Sequence, residues 1–229
     1  MNFISLLTAA ISPGIALLCY IYLKDRYHAE PVPVVVKMFL FGVLIVIPVM
    51  VLQSMFVPGV GPSSLAYSFI LSAGLEEFFK WFILYYLIFK HAEFDEPYDG
   101  IVYATAVSLG FATMENIFYV LLHDADFSFL MIRAFLPVSG HAIFGVVMGF
   151  YLGKAKFSPN RQTFYLLLSV LCPVLYHGLF DYILANAKAW LAGIVLLMAY
   201  LWALALWKMR HANARSPYRA VQPDDQIKI

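Results

Sequence analysis

Apolar residues fill this chain in long blocks separated by short polar loops. Seven blocks are long enough to cross a bilayer as helices, at about 20 residues per crossing: roughly 3–23, 35–56, 65–89, 100–122, 129–153, 163–185 and 189–207. The last two are parted by only a few residues, around Asn186 to Lys188. Asp99-Gly100, following Glu96-Pro97, reads as a loop that ends in the N-cap of the fourth helix. The pattern predicts an all-α, polytopic membrane helix bundle. Residues 1–208 form one transmembrane domain, and the short loops leave no room for a soluble domain. Residues 209–229 form a polar tail with Pro217, Pro223 and no apolar period, for which disorder is expected.

Composition strengthens this reading. Of 229 residues, 62% are hydrophobic and 13% charged, whereas a soluble domain is about half apolar and about a quarter charged. The first apolar block has no Lys or Arg before Lys24 and no small-residue cleavage site after it, so it reads as a retained helix and not a signal peptide. Cys19 and Cys172 lie in apolar blocks, form no CxxC pair, and read as small core residues.

The net charge of +1 says little, because in membrane proteins the position of charge matters more than its sum. Lys24, Arg26, Lys37, Lys90, Lys154, Lys156 and Arg161 flank alternate loops, and Lys208, Arg210, Arg215 and Arg219 lie in the tail. The intervening loops hold no charge (around 58–64), acids only (around 123–128) or a lone Lys188. Basic residues stay cytoplasmic, so the N-terminus is expected outside and the C-terminus inside.

Charge inside the apolar blocks carries the candidate chemistry. Glu76, Glu77 and Lys80 lie in the third block, Glu115 in the fourth, His141 in the fifth, and His177 and Asp181 in the sixth. A charged group at the centre of a membrane helix costs about 2.5–3.5 kcal/mol on insertion scales, which makes such residues functional candidates by default. A rise of 1.5 Å per residue places Glu76 about 16 Å, Glu115 about 10 Å, His141 about 18 Å, His177 about 12 Å and Asp181 about 6 Å from the outer ends of their helices. Agreement in depth among four helices argues for one shared site between the midplane and the outer face.

Spacing adds roles. Glu76 and Lys80 share a helix face at i,i+4, as do His177 and Asp181. Lys80 can hold a carboxylate ionised, and Asp181 can orient the imidazole of His177. Pro137 and Pro173 each stand four residues before a histidine, where they free a carbonyl and can open a water-lined cavity. Asn116 reads as an interhelical hydrogen bond, and His28, His91, His123 and His211 receive no role.

These residues also carry a family resemblance. The EExxK of Glu76, Glu77 and Lys80, the FxxxE of Phe111 and Glu115, and the HxxxD of His177 and Asp181 together resemble the motif set of the PrsW family, bacterial membrane proteases that cut anti-sigma factors. The blocks PGIALLCYIYLKDRYHAEP, FDEPYDGIVYATAVSLGFATMENI and LPVSGHAIFGVVMGFYLGKAKFS are similar to that family too. The family is distantly similar to type II CAAX prenyl proteases, whose pattern has EExxxR and two later histidine motifs. Here Lys80 stands four residues after Glu76 and FxxxE replaces one histidine motif, which argues against a prenylated substrate. The resemblance implies first-step cleavage of a single-pass anti-sigma factor on its extracytoplasmic side, with sigma-factor release after further proteolysis inside. The partners implied are that substrate and the lipid bilayer, with no nucleic acid.

The reading is an intramembrane peptidase. Glu76 or Glu77 activates water, and His141 or His177 assists proton transfer or stabilises the oxyanion. Lys80 tunes the glutamates, Asp181 orients His177, and Glu115 completes the polar cavity. Two histidines and a carboxylate suit Zn²⁺, but HExxH is absent, so the residues allow either no cofactor or one divalent metal such as Zn²⁺. Ser139 lies two residues from His141 and so faces another side of its helix. Two rival readings use the same residues: a proton-coupled membrane transporter and a non-catalytic membrane scaffold.

Overall fold

A computed structural model describes residues 3–61, 63–122, 127–186 and 190–221, and every regular element among them is helical. Helix α1 spans Phe3–Tyr22 and α2 Val32–Phe56. A π-helical stretch, Tyr67–Ser72, runs directly into α3, Ala73–Leu87. Helix α4 spans Asp99–Leu122. Helix α5, Phe127–Arg133, passes through a second π-helical stretch, Ala134–Val138, into α6, Ser139–Lys156. Helices α7, Gln162–Asn186, and α8, Trp190–Asn213, complete the bundle.

Six of these rods are long and apolar enough to cross a membrane, counting Phe127–Lys156 as one. The expected third span differs from them. Its regular α-helix is only 15 residues long, it enters through the π stretch, and it buries Glu76, Glu77 and Lys80. Large apolar side chains such as Leu44, Ile47, Leu171, Leu175 and Leu196 are exposed on the outer helices, as a lipid-facing surface requires.

Helix α4 is the axis of the bundle. Every residue from Asp99 to Thr113 is buried, including Thr105 and Ser108. Its mean hydropathy of 1.4 is the lowest of the six rods, because contact with protein on all sides removes the need for a lipid-compatible face. Glycines set its distance from its neighbours. A Cβ at Gly110 would meet the carbonyl oxygen of Phe39 on α2, and one at Gly149 of α6 would meet the carbonyl of Gly100. Lipid tails are as apolar as leucine, so close backbone approach through small residues is a main source of attraction between membrane helices.

The last helix ends later than its apolar block, which stops near residue 207. Helix α8 continues to Asn213, whose Nδ2 donates to the carbonyl of Lys24 (3.2 Å), and a short 3₁₀ turn follows at Pro217–Val221. Tyr218 Oη donates to Asp95 Oδ2 (2.8 Å). The start of the polar tail is thus ordered by loop partners that an apolar period does not reveal. Of the joint around Asn186 to Lys188, residues 187 and 188 lie outside the described residues, as do residues 123–126 of the acidic loop around 123–128.

Candidate active site

The seven intramembrane ionisable residues belong to α3, α4, α6 and α7, and the fold brings them to one end of the bundle. Glu77 is the hub. Its side chain is fully buried, and Oε1 accepts from Lys80 Nζ at 2.7 Å and lies 2.9 Å from His177 Nδ1. Lys80, also fully buried, reaches Glu76 Oε2 at 3.6 Å and His141 Nδ1 at 3.0 Å. An ammonium can only donate, so the His141 lone pair at this contact is on Nδ1. The face of Phe111 covers the ammonium, with the ring centroid 4.3 Å away. Phe111 of the FxxxE motif therefore packs against the cation, one turn from Glu115.

Glu115 is shared. Oε2 accepts from Arg133 Nη2 at 2.9 Å and lies 3.6 Å from His141 Nε2. Arg133 also donates through Nε to Asn116 Oδ1 at 2.6 Å, so Asn116 has the interhelical structural role its sequence suggested. Asp181 differs in part from its expected role. It is 3.6 Å from His177 Nε2, beyond hydrogen-bond distance, and accepts a 2.6 Å bond from Ser72 Oγ. The carboxylate that fixes the His177 ring is Glu77. Phe144 stacks on the same ring at 4.9 Å.

A cavity of about 420 Å³ opens onto this cluster. Glu76, Glu115, His141, His177 and Asp181 line it, whereas Glu77 and Lys80 lie behind its wall. Gln53 of α2 donates to Glu76 Oε1 and to the carbonyl of Leu71, each at 3.2 Å. Gln53, Ser72 and Arg133 are thus site residues that the sequence reading did not select. Both π-helical stretches end just before site residues: Ser72 precedes Glu76 by four, and Val138 precedes His141 by three. Pro137 lies in the second stretch, in keeping with its expected break, while Pro173 sits within an α7 that continues to Asn186.

A metal fits the donor chemistry. Glu76, Glu77, His141 and His177 each offer one ligand atom, all within 4.8 Å of one another. Oε2 of Glu76 and Oε2 of Glu77 are buried without a hydrogen-bond partner. Mixed imidazole and carboxylate donors suit Zn²⁺ among biological divalent ions. The Lys80 ammonium supplies positive charge within the same set.

Fold and site together define a polytopic helical membrane protein with a buried glutamate–histidine centre, a constitution that suits intramembrane hydrolysis. Comparison with known proteins narrows the class. The family model described as PrsW family intramembrane metalloprotease matches residues 30–207. A protein named Protease PrsW from Geobacillus kaustophilus is 48% identical over 220 residues, covering 96% of this chain and 97% of the relative. Proteins of the same name from Bacillus subtilis and Clostridioides difficile are 47% and 35% identical, covering 92% and 90% of this chain and 96% and 88% of their own lengths. No solved structure matches the chain. The chain belongs to the PrsW family, and is a multi-pass bacterial membrane protease.

Proposed function

We propose that this protein makes the first cut in a single-pass anti-sigma factor, on the extracytoplasmic side, and that Glu76 is the base. The observation that carries the assignment is the difference between the two glutamates. Glu76 lines the cavity, where a water and a peptide carbonyl can approach, while Glu77 is turned to Lys80 and His177 behind it. Glu76 takes a proton from water as the oxygen attacks the carbonyl carbon of the scissile bond. Positive charge from Lys80, with the cavity-facing ring of His141, offsets the negative charge that develops on the carbonyl oxygen. The proton held by Glu76 passes to the departing amine as the C–N bond breaks. Glu77 keeps Lys80 and His177 in place, Arg133 holds Glu115, and Ser72 holds Asp181.

A divalent ion held by Glu77, His141 and His177, with Glu76 left free as the base, would add Lewis-acid polarisation of the carbonyl and a more acidic water. The basic loops lie at the end of the bundle away from the cavity, which by the positive-inside rule supports a cavity in the outer half of the membrane. The name the relatives carry, Protease PrsW, supports proteolysis, and the anti-sigma substrate rests on the family resemblance.

The test is cleavage by purified protein in detergent, where no ion gradient exists. A candidate anti-sigma factor is expected to yield two fragments with wild type and none with Glu76→Gln. Intact substrate with wild-type protein, or equal cleavage by the variant, would contradict the proposal and favour transport or scaffolding.

A further inference from the structure

Two sequence blocks that catalysis leaves unused, KDRYHAEP (24–31) and FDEPYDG (94–100), meet at the other end of the bundle. Asp25, Glu96 and Asp99 each present a carboxylate oxygen there, all within 4.8 Å of one another. Glu30 lies beside Asp99 and accepts a hydrogen bond from Tyr103 Oη. Glu96 and Asp99 are fully buried and Glu30 is 2% exposed.

Acids in loops are ordinarily solvated or paired, and these are paired only in part: Asp99 Oδ2 accepts from the backbone N–H of Asp95 (2.7 Å) and of Glu96 (2.6 Å), and Asp25 Oδ1 from that of Tyr27 (3.4 Å). Both oxygens of Glu96, Oδ1 of Asp99, Oδ2 of Asp25 and Oε1 of Glu30 are buried without a hydrogen-bond partner. Ser216 and the Asp25 carboxyl both approach Glu96, without either Glu96 oxygen reaching full hydrogen-bonding geometry. Among the described residues, no Lys or Arg nitrogen comes within 4 Å of Asp25, Glu30, Glu96 or Asp99. Lys156 donates to the His91 carbonyl (2.9 Å) and lies over the ring of Phe94. His28 faces Asp95 at 3.7 Å, and Tyr218 occupies the other oxygen of Asp95. Buried carboxylates this crowded need protons or a counter-charge, and no cation among the described residues is paired with them within 4 Å.

We propose that Asp25, Glu96 and Asp99 bind one hard divalent cation, of the Ca²⁺ or Mg²⁺ kind, that ties the α1–α2 loop to the α3–α4 loop. The fully buried Glu96, aimed at the other two acids with neither oxygen partnered, is the feature that asks for a ligand. The donors are oxygen only, with no imidazole or thiolate among them, which selects alkaline-earth ions over zinc or copper. The α3–α4 loop joins the helix of Glu76 and Glu77 to the helix of Glu115. A cation here braces the catalytic helices from the end opposite the active site.

The experiment is equilibrium dialysis of the purified full-length chain with radioactive Ca²⁺ in detergent, with Mg²⁺ as competitor, alongside thermal unfolding. Wild type is expected to bind about one Ca²⁺ per chain at an all-oxygen site. Ca²⁺ at about a hundredfold its Kd is expected to raise the unfolding midpoint by roughly 5 °C. Asp25→Asn and Glu96→Gln should lose both effects, and His177→Ala, at the active site, should keep them. Asp25 is only partly buried in a loop, so its variant tolerates the change, and the wild-type count needs no variant. Wild type that binds no Ca²⁺ and melts unchanged would overturn the proposal, leaving protons as what neutralises the acids. So would binding that survives in both acid variants.

Discussion

At the residue scale, the two adjacent glutamates are chemically identical and differently placed, and this separates their variants. Glu76→Gln removes the base while keeping the Gln53 contact, so kcat/KM should fall by about 10²–10⁴-fold with thermal stability near wild type. Glu77→Gln removes the charge facing buried Lys80 and His177. Breaking a buried pair from one side costs about 3–5 kcal/mol, so this variant should lose activity and also unfold at a lower temperature. Rates and melting curves on both proteins check the split, and equal stability would show that the hub is misassigned. The histidines give a second prediction. Elemental analysis should find about one bound transition metal such as Zn²⁺ in active wild type, four-coordinate sites being its usual setting. His141→Ala and His177→Ala should lose metal and activity together, and full activity in metal-free protein would remove the metal from the account. All seven ionisable residues were legible in the sequence because a charge in an apolar block has no cheap structural explanation. Gln53 and Ser72 were not, since neutral polar residues occur freely near helix ends. Arg133 lies inside the fifth apolar block, close to its outer end, where a basic residue is ordinary, and its pairing with Glu115 and Asn116 depends on how α4 and α5 pack. Burial of Glu96 and Asp99 was not legible either, because a loop that ends in an N-cap carries no sign of the packing that covers it.

At the scale of elements, length and apolarity alone foresaw the helical rods, and the loops joined them as expected. What these could not disclose was the two π-helical stretches. A single extra residue in the hydrogen-bond register leaves no mark on composition, though Pro137 pointed to the second. The small-residue contacts of α4 were equally hidden, because a glycine against lipid and a glycine against a neighbouring carbonyl read alike. Gly110→Val tests them. The added side chain meets the Phe39 backbone, which cannot rotate aside, so α2 and α4 must separate. Overpacking of this kind costs about 1–3 kcal/mol or more. The variant should show a lower unfolding temperature and reduced cleavage, while Gly61→Val, with open space around the site, should leave both unchanged. Equal behaviour of the two would argue that α2 and α4 do not meet at this glycine.

At the scale of the whole molecule, the bundle is polarised. Carboxylates, imidazoles and the cavity occupy one end, and the basic loops and the second acid cluster occupy the other. Cysteine-accessibility labelling should therefore place the Lys154–Arg161 loop in the cytoplasm, and labelling from outside would reverse the site's depth. The same polarity fixes where the enzyme should cut. A peptide bond in a regular helix has its carbonyl occupied, so the substrate must be unwound where the Glu76 water reaches it. The most direct test is mass-spectrometric mapping of both product ends after cleavage of a single-pass substrate by the reconstituted protein. The account predicts one cut near or just beyond the extracytoplasmic end of the substrate's transmembrane helix, absent with Glu76→Gln. A cut in the cytoplasmic half of that helix, or the same fragments from the variant, would contradict it.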